Sequence, residues 1–235
     1  MTDTSSELRS RLDKVKAKRG YLLPHHGLLA TLSERMIEAY DGLYTALALD
    51  HKVLSVRDRE LVWLAVLIAT DEAIATHHIP KFREGGGTQE EFVAVLRLTS
   101  LVLGSGAYSF VEQHWEKHWP NLSTAQEFVS AVEITSSPLS RRDAWLCTCA
   151  ILAAKARFSL LREAIMAAYR AGIVEVDLAE ALSIMIFPGS VPHFVEASRV
   201  WMELIRDGSV TASPTFAIWA GLEGQGGYDE ASGRL

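Results

Sequence analysis

Apolar residues recur every three or four positions through almost the whole sequence, and this spacing constrains the fold more than any other feature. Such a period places apolar side chains along one face of an α-helix. Residues 57–70, RDRELVWLAVLIAT, are apolar almost all round after the first turn, which predicts a buried central helix. No segment shows the convincing apolar–polar alternation of a strand. The sequence therefore predicts an all-α protein.

Helix ends are marked by capping signals. Thr88 with Glu91 forms a capping box before EEFVAVLRLTSLVL, and Ser123 with Gln126 forms another. The glycines at 104 and 106 and the Ser-Pro pair at 137–138 predict breaks. The segment after residue 208 is rich in Gly and Ser. Its aromatic residues at 216 and 219 predict that it docks onto the protein.

Bulk composition excludes several classes of function. The 235 residues carry a formal net charge of −6 without a basic block, so nucleic acid is not an expected partner. The sequence shows neither a secretory h-region nor an apolar run of about 18 residues, so no membrane association is expected. Cys147 and Cys149 are the two cysteines, which fits a reducing cytoplasm. On a helix these two thiols would point about 200° apart, and we interpret them as buried small side chains.

An internal repeat is visible when the two halves of the chain are compared. LSVRDRELVWLAVLIA at 54–69 aligns with LSRRDAWLCTCAILAA at 139–154, Gly87 aligns with Gly172, and FVE at 110–112 aligns with FVE at 194–196. Two copies of one helical unit are therefore predicted, packed as a pseudo-symmetric dimer within one chain. The predicted segments are an N-terminal helical extension (1–22), a first repeat (23–119), a second, degenerate repeat (120–208) and a C-terminal tail (209–235).

The first repeat also resembles a known family. LSVRDRELVWLAVLIA followed by HHIPKFREGGGTQEEF is similar to the core of the carboxymuconolactone decarboxylase and alkylhydroperoxidase D superfamily, as a fused double-copy member. The matching positions are Leu54, Arg59, Glu60, Leu61, Val62, His78, Gly87, Thr88, Glu90 and Glu91. The resemblance implies an all-helical fold, a homo-oligomer (a trimer or a dimer-based assembly), a small-molecule substrate, and neither cofactor nor metal.

The chain departs from the alkylhydroperoxidase branch of that superfamily. That branch carries Cys-x-x-Cys ahead of the histidine, at positions that here fall on Asp71 and Ile74 or, with a shift of one residue, on Glu72 and Ala75. Thiol chemistry needs an accessible thiolate, and none of these residues supplies one. An antioxidant peroxidase is thus disfavoured, and the decarboxylase branch, which needs no cysteine, is the closer match.

The resemblance makes Glu60, His78 and His77 the candidate catalytic residues. A carboxylate buried in an apolar helix would have a raised pKa, as acid/base catalysis near neutral pH requires, although Glu60 is also placed to favour the helix dipole. Adjacent histidines on a helix point about 100° apart, so one can face a pocket. Eighteen residues of straight helix would separate Glu60 and His78 by about 27 Å, so the chain must fold back between them.

Two local features bear on that fold-back. The pair Thr70-Asp71 predicts the N-cap of a new helix. Pro80 cannot donate a backbone hydrogen bond, which predicts a free carbonyl at Thr76 and a disturbed helix at the histidines.

Further residues are candidates for substrate binding. Arg83 is the preferred partner for a substrate carboxylate, and His193 and Tyr108 are expected to line a shared pocket. His114 and His118 have the spacing of a metal pair, but we interpret them as solvated or capping residues because the helix is predicted to end there. His25 and His26, in a predicted loop, remain open between pocket lining and exposure.

The second repeat lacks the acid/base set, since Trp145 stands opposite Glu60, and Arg162 and Glu163 stand opposite the two histidines. One active centre per chain is therefore predicted. The leading hypothesis is a cofactor-independent lyase (decarboxylase) or isomerase acting on a small carboxylate or lactone. A non-catalytic module for small-molecule binding or assembly is the alternative.

Overall fold

The computed structural model describes residues 5–50 and 53–234, and all regular secondary structure within them is helical. The predicted all-α class is thus confirmed. The helices are α1 Ser5–Arg19, α2 Pro24–Leu32, α3 Glu34–Tyr44, α4 Val56–Ala69, α5 His78–Glu84, α6 Gln89–Leu103, α7 Gly106–His114, α8 Thr124–Thr135, α9 Arg141–Ala154, α10 Phe158–Arg170, α11 Glu175–Ile184, α12 Val191–Arg206, α13 Pro214–Gly221 and α14 Gly227–Ala231. A π-helical segment, Thr45–Leu49, extends α3, and a 3₁₀ turn, Glu116–His118, follows α7.

The chain divides into two compact units, residues 1–52 and residues 53–235. In the first unit, α1, α2 and α3 enclose a small core around Val15, Ala30 and Ile37. The continuous apolar pattern of residues 28–49 is split at Ser33, whose hydroxyl accepts a hydrogen bond from the Met36 N–H and so caps α3. Serine favours this position because its side chain satisfies an amide that the helix leaves without a partner.

The histidine pair of the first unit has a structural role. His26 is fully buried, and its Nδ1 accepts a hydrogen bond from the Leu23 N–H. His25 Nε2 lies 2.7 Å from the Tyr40 hydroxyl. Burial, together with the neighbouring His25 and Arg19, lowers the pKa of His26 to about 4. Both histidines are therefore held by partners within this unit, which answers the alternative that the sequence leaves open.

Helices α4 and α9 pack against each other at the centre of the second unit. Both are 14 residues long, and nearly every residue after the first turn is buried. Helices α5 and α6 flank α4, while α10, α11 and α12 flank α9. The predicted buried central helix is thus one of a pair.

Reciprocal ion pairs join the first turns of α4 and α9. Arg57 bonds to Asp143 at 2.7 Å, and Arg142 bonds to Asp58 at 2.9 Å. Arg57 also pairs with Glu91, which begins α6, and Arg142 pairs with the Asp177 carboxylate of α11. Burial alone would raise the pKa of Asp58, but hydrogen bonds from both arginines lower it. The carboxylates thus stay ionised and hold the two helix starts together.

Local features recur at the interval of the predicted repeat, 85 residues. Ser55 and Ser140 cap α4 and α9 in the same way, each accepting from the N–H three residues on. The only described residues other than glycine with a positive φ are Asp71 (58°) and Ala156 (53°), which follow the two helices at the same distance. These recurrences, like the reciprocal ion pairs, are what a fused double copy predicts, although the repeat itself stays a prediction.

Several predicted helix boundaries are confirmed. Thr88 and Glu91 form the expected capping box of α6, and Ser123 caps α8 by accepting from the Gln126 N–H. The predicted glycine turn before α6 is also present. Gly86 has a φ of 93°, and the Gly87 N–H donates to the Phe82 carbonyl, which ends α5.

The tail docks through α13, as predicted from its aromatic residues. Phe216 stacks on Trp201 of α12 at 5.1 Å between ring centroids, and Trp219 meets the same ring edge-on. Arg206 donates hydrogen bonds to the carbonyls of Ala220 and Leu222 at the end of α13. Aromatic packing and a guanidinium clamp thus fix this segment on α12.

One helical stretch, Gln89–His114, has the length and apolar composition of a membrane span. In the structure it consists of α6 and α7, of 15 and 9 residues, separated by a turn at Gly104 and Ser105. Each helix alone is shorter than the roughly 20 residues that a span needs. A single stretch of this kind is weak evidence for a membrane protein, because core helices share the same composition.

The Gly87→Ala substitution is expected to destabilise the second unit by about 1–3 kcal/mol, because the added Cβ would overlap the buried ring of Phe82. Gly106→Ala is the matched control, since a Cβ there meets open space. Urea unfolding followed by circular dichroism measures both. Equal stability of the two variants would show that the close approach of Gly87 to Phe82 is not a constraint.

Candidate functional site

A buried carboxylate–imidazole pair joins α4 to α5. Glu60 lies in the second turn of α4 and is fully buried, and His78, the first residue of α5, is 1% exposed. His78 Nδ1 lies 2.6 Å from Glu60 Oε2. The structure thus brings together two of the three predicted catalytic residues, despite the 18 positions between them.

An irregular loop, residues 70–77, makes this meeting possible. Helix α4 ends at Ala69, Asp71 adopts a left-handed conformation, and the Glu72 N–H donates to the Leu67 carbonyl. This is the hydrogen-bond pattern of a helix C-terminus. The prediction that Thr70-Asp71 caps a new helix is therefore wrong, because the same residues complete the end of α4.

Pro80 does not disturb the histidines as predicted. Helix α5 begins only at His78, so Pro80 occupies its first turn, where a missing N–H interrupts no helical hydrogen bond. The Thr76 carbonyl accepts a hydrogen bond from the Ile79 N–H. The expected free carbonyl at Thr76 is therefore wrong.

The electrostatics of the pair favour a neutral imidazole. Burial lowers the pKa of His78, while the hydrogen bond and charge of Glu60 oppose that shift. The positive charges of Lys81 and Arg59 lower it further. An ionised carboxylate only accepts hydrogen bonds, so the proton of the neutral ring resides on Nδ1. The lone pair then lies on Nε2, for which the described residues provide no hydrogen-bond partner.

Trp63 fixes the ring of His78 from one face. The two rings stack at 4.5 Å between centroids with an interplanar angle of 22°. Two buried polar atoms beside His78 lack a hydrogen-bond partner within the described part of the chain, namely Trp63 Nε1 and Glu60 Oε1. Buried polar groups are rarely left unsatisfied except where they serve chemistry or binding, so these atoms favour a functional role for the pair.

His77 covers the other side of the pair. Its ring centroid lies 4.2 Å from that of His78 with a tilt of 39°, and the residue is half-buried. His77 also interacts with groups besides His78. The third predicted catalytic residue is therefore next to the pair but is not hydrogen-bonded to Glu60 in the structure.

An open, mostly apolar groove of about 420 Å³ lies beside the loop at residues 70–77. Its lining residues are Leu64, Leu67, Ile68, Asp71, Glu72, Ala73, Ala75, Thr76, Ile79 and Phe92. Three of the four positions where a peroxidase relative would carry thiols, Asp71, Glu72 and Ala75, line this groove. The sequence located these positions but gave no indication that they border a cavity.

The predicted substrate-binding residues lie in other places. Arg83 is exposed on α5, and Tyr108 on α7 packs edge-on against Phe128 of α8. His193 Nδ1 lies 3.0 Å from the Ala154 carbonyl. None of the three belongs to the groove lining, so their predicted roles stay predictions.

The histidine pair at 114 and 118 does not share a helix, because α7 ends at His114 and His118 belongs to the following 3₁₀ turn. No group of three or more potential metal-binding side chains occurs among residues 5–50 and 53–234. Their interpretation as non-ligands agrees with this geometry.

Both cysteines lie inside α9 and are fully buried. Burial raises the pKa of each thiol, so neither is available as a thiolate nucleophile. Their interpretation as small core side chains is thus supported.

The sequence model of the carboxymuconolactone decarboxylase family matches residues 34–112. No curated protein and no solved structure matches the chain. The matched segment contains Glu60, His77 and His78, so the predicted relationship to this family is confirmed over the part of the chain that carries the buried pair.

We expect NMR titration of ring-labelled histidine to show His78 titrating below the ordinary value of about 6.5. In Glu60→Gln the pKa should fall further, because the carboxylate opposes the effect of burial. The unfolded chain binds a proton near pH 6.5 and the folded chain only at lower pH, so the stability of the fold should decrease as the pH drops below about 6.5. His114 is the internal control, and an unchanged His78 titration in Glu60→Gln would contradict the assignment.

Ellman's reagent should modify neither Cys147 nor Cys149 in the native protein and both in denaturant, because burial excludes the reagent and suppresses the thiolate. Rapid modification of the folded protein would instead restore a thiol mechanism to consideration.

Proposed function

We propose that this carboxymuconolactone decarboxylase-like chain is a cofactor-independent acid/base enzyme, a lyase or an isomerase, that acts on a small carbonyl compound. The observation that carries the proposal is the buried 2.6 Å contact between His78 Nδ1 and Glu60 Oε2. A carboxylate that orients a neutral imidazole leaves the other ring nitrogen as a general base.

The proposed reaction begins with proton removal by His78. Nε2 takes the proton from the carbon next to the substrate carbonyl, the C–H electrons form a C=C bond, and the carbonyl electrons move to oxygen. The imidazolium then returns the proton to another carbon, which gives an isomer. In a decarboxylation the electrons come instead from the C–CO₂ bond, CO₂ leaves, and the imidazolium protonates the enolate. Glu60 stabilises the imidazolium throughout.

Trp63 is the proposed donor to the developing enolate oxygen. Its Nε1–H is buried and lacks a partner within the described residues, next to the ring that would take the proton. A preorganised donor in a site without water stabilises a developing negative charge more than water does.

Access to the pair is proposed to come from the groove. Glu60 and His78 lie behind the groove wall, and the loop at residues 70–77 contributes half of the lining. A substrate reaches Nε2 when this loop shifts. Loops without regular structure are the elements that open at the lowest free-energy cost.

One active centre per chain is part of the proposal. The predicted counterpart of Glu60 is Trp145, fully buried in α9. The counterparts of the histidines are Arg162, which pairs with Asp207 near the surface, and Glu163. The second segment thus supplies packing for α4 but no carboxylate–imidazole pair.

A catalytically silent binding module is the second candidate, and the burial of the pair favours it. With His78 1% exposed and Glu60 fully buried, the contact also has the features of a structural hydrogen bond between charged or polar core groups. The distinction rests on whether His78 exchanges protons with a bound carbon acid.

Deuterium incorporation tests the proposal. The protein in D₂O is expected to catalyse exchange at the carbon next to the carbonyl in a panel of small lactones and cyclic ketones, measured by NMR. Glu60→Gln and His78→Gln should each lower the rate by about 10²–10⁴-fold, the range for loss of a general base. His193→Gln, which leaves the pair intact, is the matched control. Full activity in both pair variants, with native circular dichroism, would refute the assignment, and absence of exchange by the wild type would favour the silent module.

A further inference from the structure

The groove beside the buried pair is apolar at its floor. Leu64, Leu67 and Ile68 of α4 supply the floor, and Ile79 and Phe92 contribute further apolar surface from α5 and α6. Such a surface favours the carbon skeleton of a small molecule and offers few hydrogen bonds to it.

The floor of the groove continues the face of α4 that carries Glu60. Residues 60, 64 and 67 are spaced by four and three positions, so they form one stripe along the helix. Thr76 and Ile79, which line the groove, flank His77 and His78 in the chain. The groove thus begins one helical turn from Glu60.

The charged lining residues of the groove are both acidic. Asp71 and Glu72 are exposed at its edge, and the described lining includes no lysine, arginine or histidine. The backbone holds both carboxylates there, because Asp71 is fixed in the left-handed conformation that ends α4 and Glu72 Oε1 accepts a hydrogen bond from the Ile74 N–H at 3.1 Å.

Positive charges near the pair do not change this balance. Arg59 and Lys81 act on His78, but neither lines the groove and each interacts with other groups. Arg83, the residue that the sequence favours for binding a substrate carboxylate, also lies outside the lining. An anionic substrate would therefore enter a field of two negative charges without a cation to receive it.

We infer that the groove selects an uncharged lactone or ketone and rejects carboxylates, with Asp71 and Glu72 as the specificity-determining residues. This inference rests on the proposed function, because it assigns the substrate class of the same site. It separates the two substrates that the sequence leaves open, and retains the lactone. The two acidic side chains act by repulsion, a form of discrimination that does not require contact with the favoured substrate.

A matched pair of probes tests the inference by binding alone. δ-Valerolactone and 5-hydroxyvalerate, its hydrolysed form, have the same carbon chain but differ in charge. Titration of each into the methyl-labelled protein is followed by NMR at the methyl groups of Leu64, Leu67, Ile68 and Ile79. The lactone is expected to shift these signals and to bind about tenfold more tightly than hydroxyvalerate, a difference of about 1.4 kcal/mol.

Charge removal at the edge of the groove provides the second arm. The double variant Asp71→Asn/Glu72→Gln should bind hydroxyvalerate about tenfold more tightly than the wild type and leave lactone affinity unchanged. Glu84→Gln/Glu90→Gln removes two exposed charges outside the groove lining and is the matched control. It should leave both affinities unchanged.

Three outcomes would overturn the inference: equal or tighter binding of hydroxyvalerate to the wild type, no methyl shift with either probe at millimolar concentration, or an unchanged preference in the Asp71→Asn/Glu72→Gln variant. Lactone binding with the expected preference but without deuterium exchange would instead refute the proposed function and leave the charge selection of the groove established. The two failures are thus distinguishable.

Discussion

The packing of α4 on α9 is the constraint on which the second unit depends, and two arginines hold its polar end. Arg57 and Arg142 each reach across to the aspartate in the first turn of the other helix. Negative charges at helix N-termini are favourable, so Asp58 and Asp143 stabilise their own helices and the junction together. Beyond this first turn the two helices are apolar and buried. Glu60, two residues after Asp58, is carried into the core by that geometry.

A carboxylate at such a depth needs a partner, because an isolated buried charge is costly. The loop at residues 70–77 provides it by delaying the start of α5 to His78, whereas α10 begins at Phe158, directly after the end of α9. Counted from the matching helix ends, α5 starts five residues later than α10 does. Where α9 has Trp145 in the core, no partner is required and the following helix starts at once. The buried pair and the irregular loop are therefore two aspects of one arrangement.

The sequence predicted the features that depend on local hydrogen bonding and periodicity. The Thr88–Glu91 capping box, the glycine turn before it and the docking of Trp219 all appear as expected. The failures occur where a residue has two locally acceptable roles. Asp71 has the type of an N-cap residue but ends a helix, and Ala156, with the same φ sign, shows that the helix-end hydrogen bonds, not the residue type, set this conformation. Which role prevails depends on tertiary packing, so the groove and its acidic edge were not predictable either.

The contrast between the groove and the thiol positions limits the chemistry that remains. Asp71, Glu72 and Ala75 line the groove where thiols would stand in a peroxidase relative, and the two cysteines are buried inside α9. The Glu60–His78 pair therefore has no thiol to deprotonate. A general base without a nucleophile to activate must act on the substrate itself, and an apolar groove excludes much of the water that would compete as a proton donor. A carbon acid that carries no charge is the class of molecule that satisfies both the base and the acidic edge.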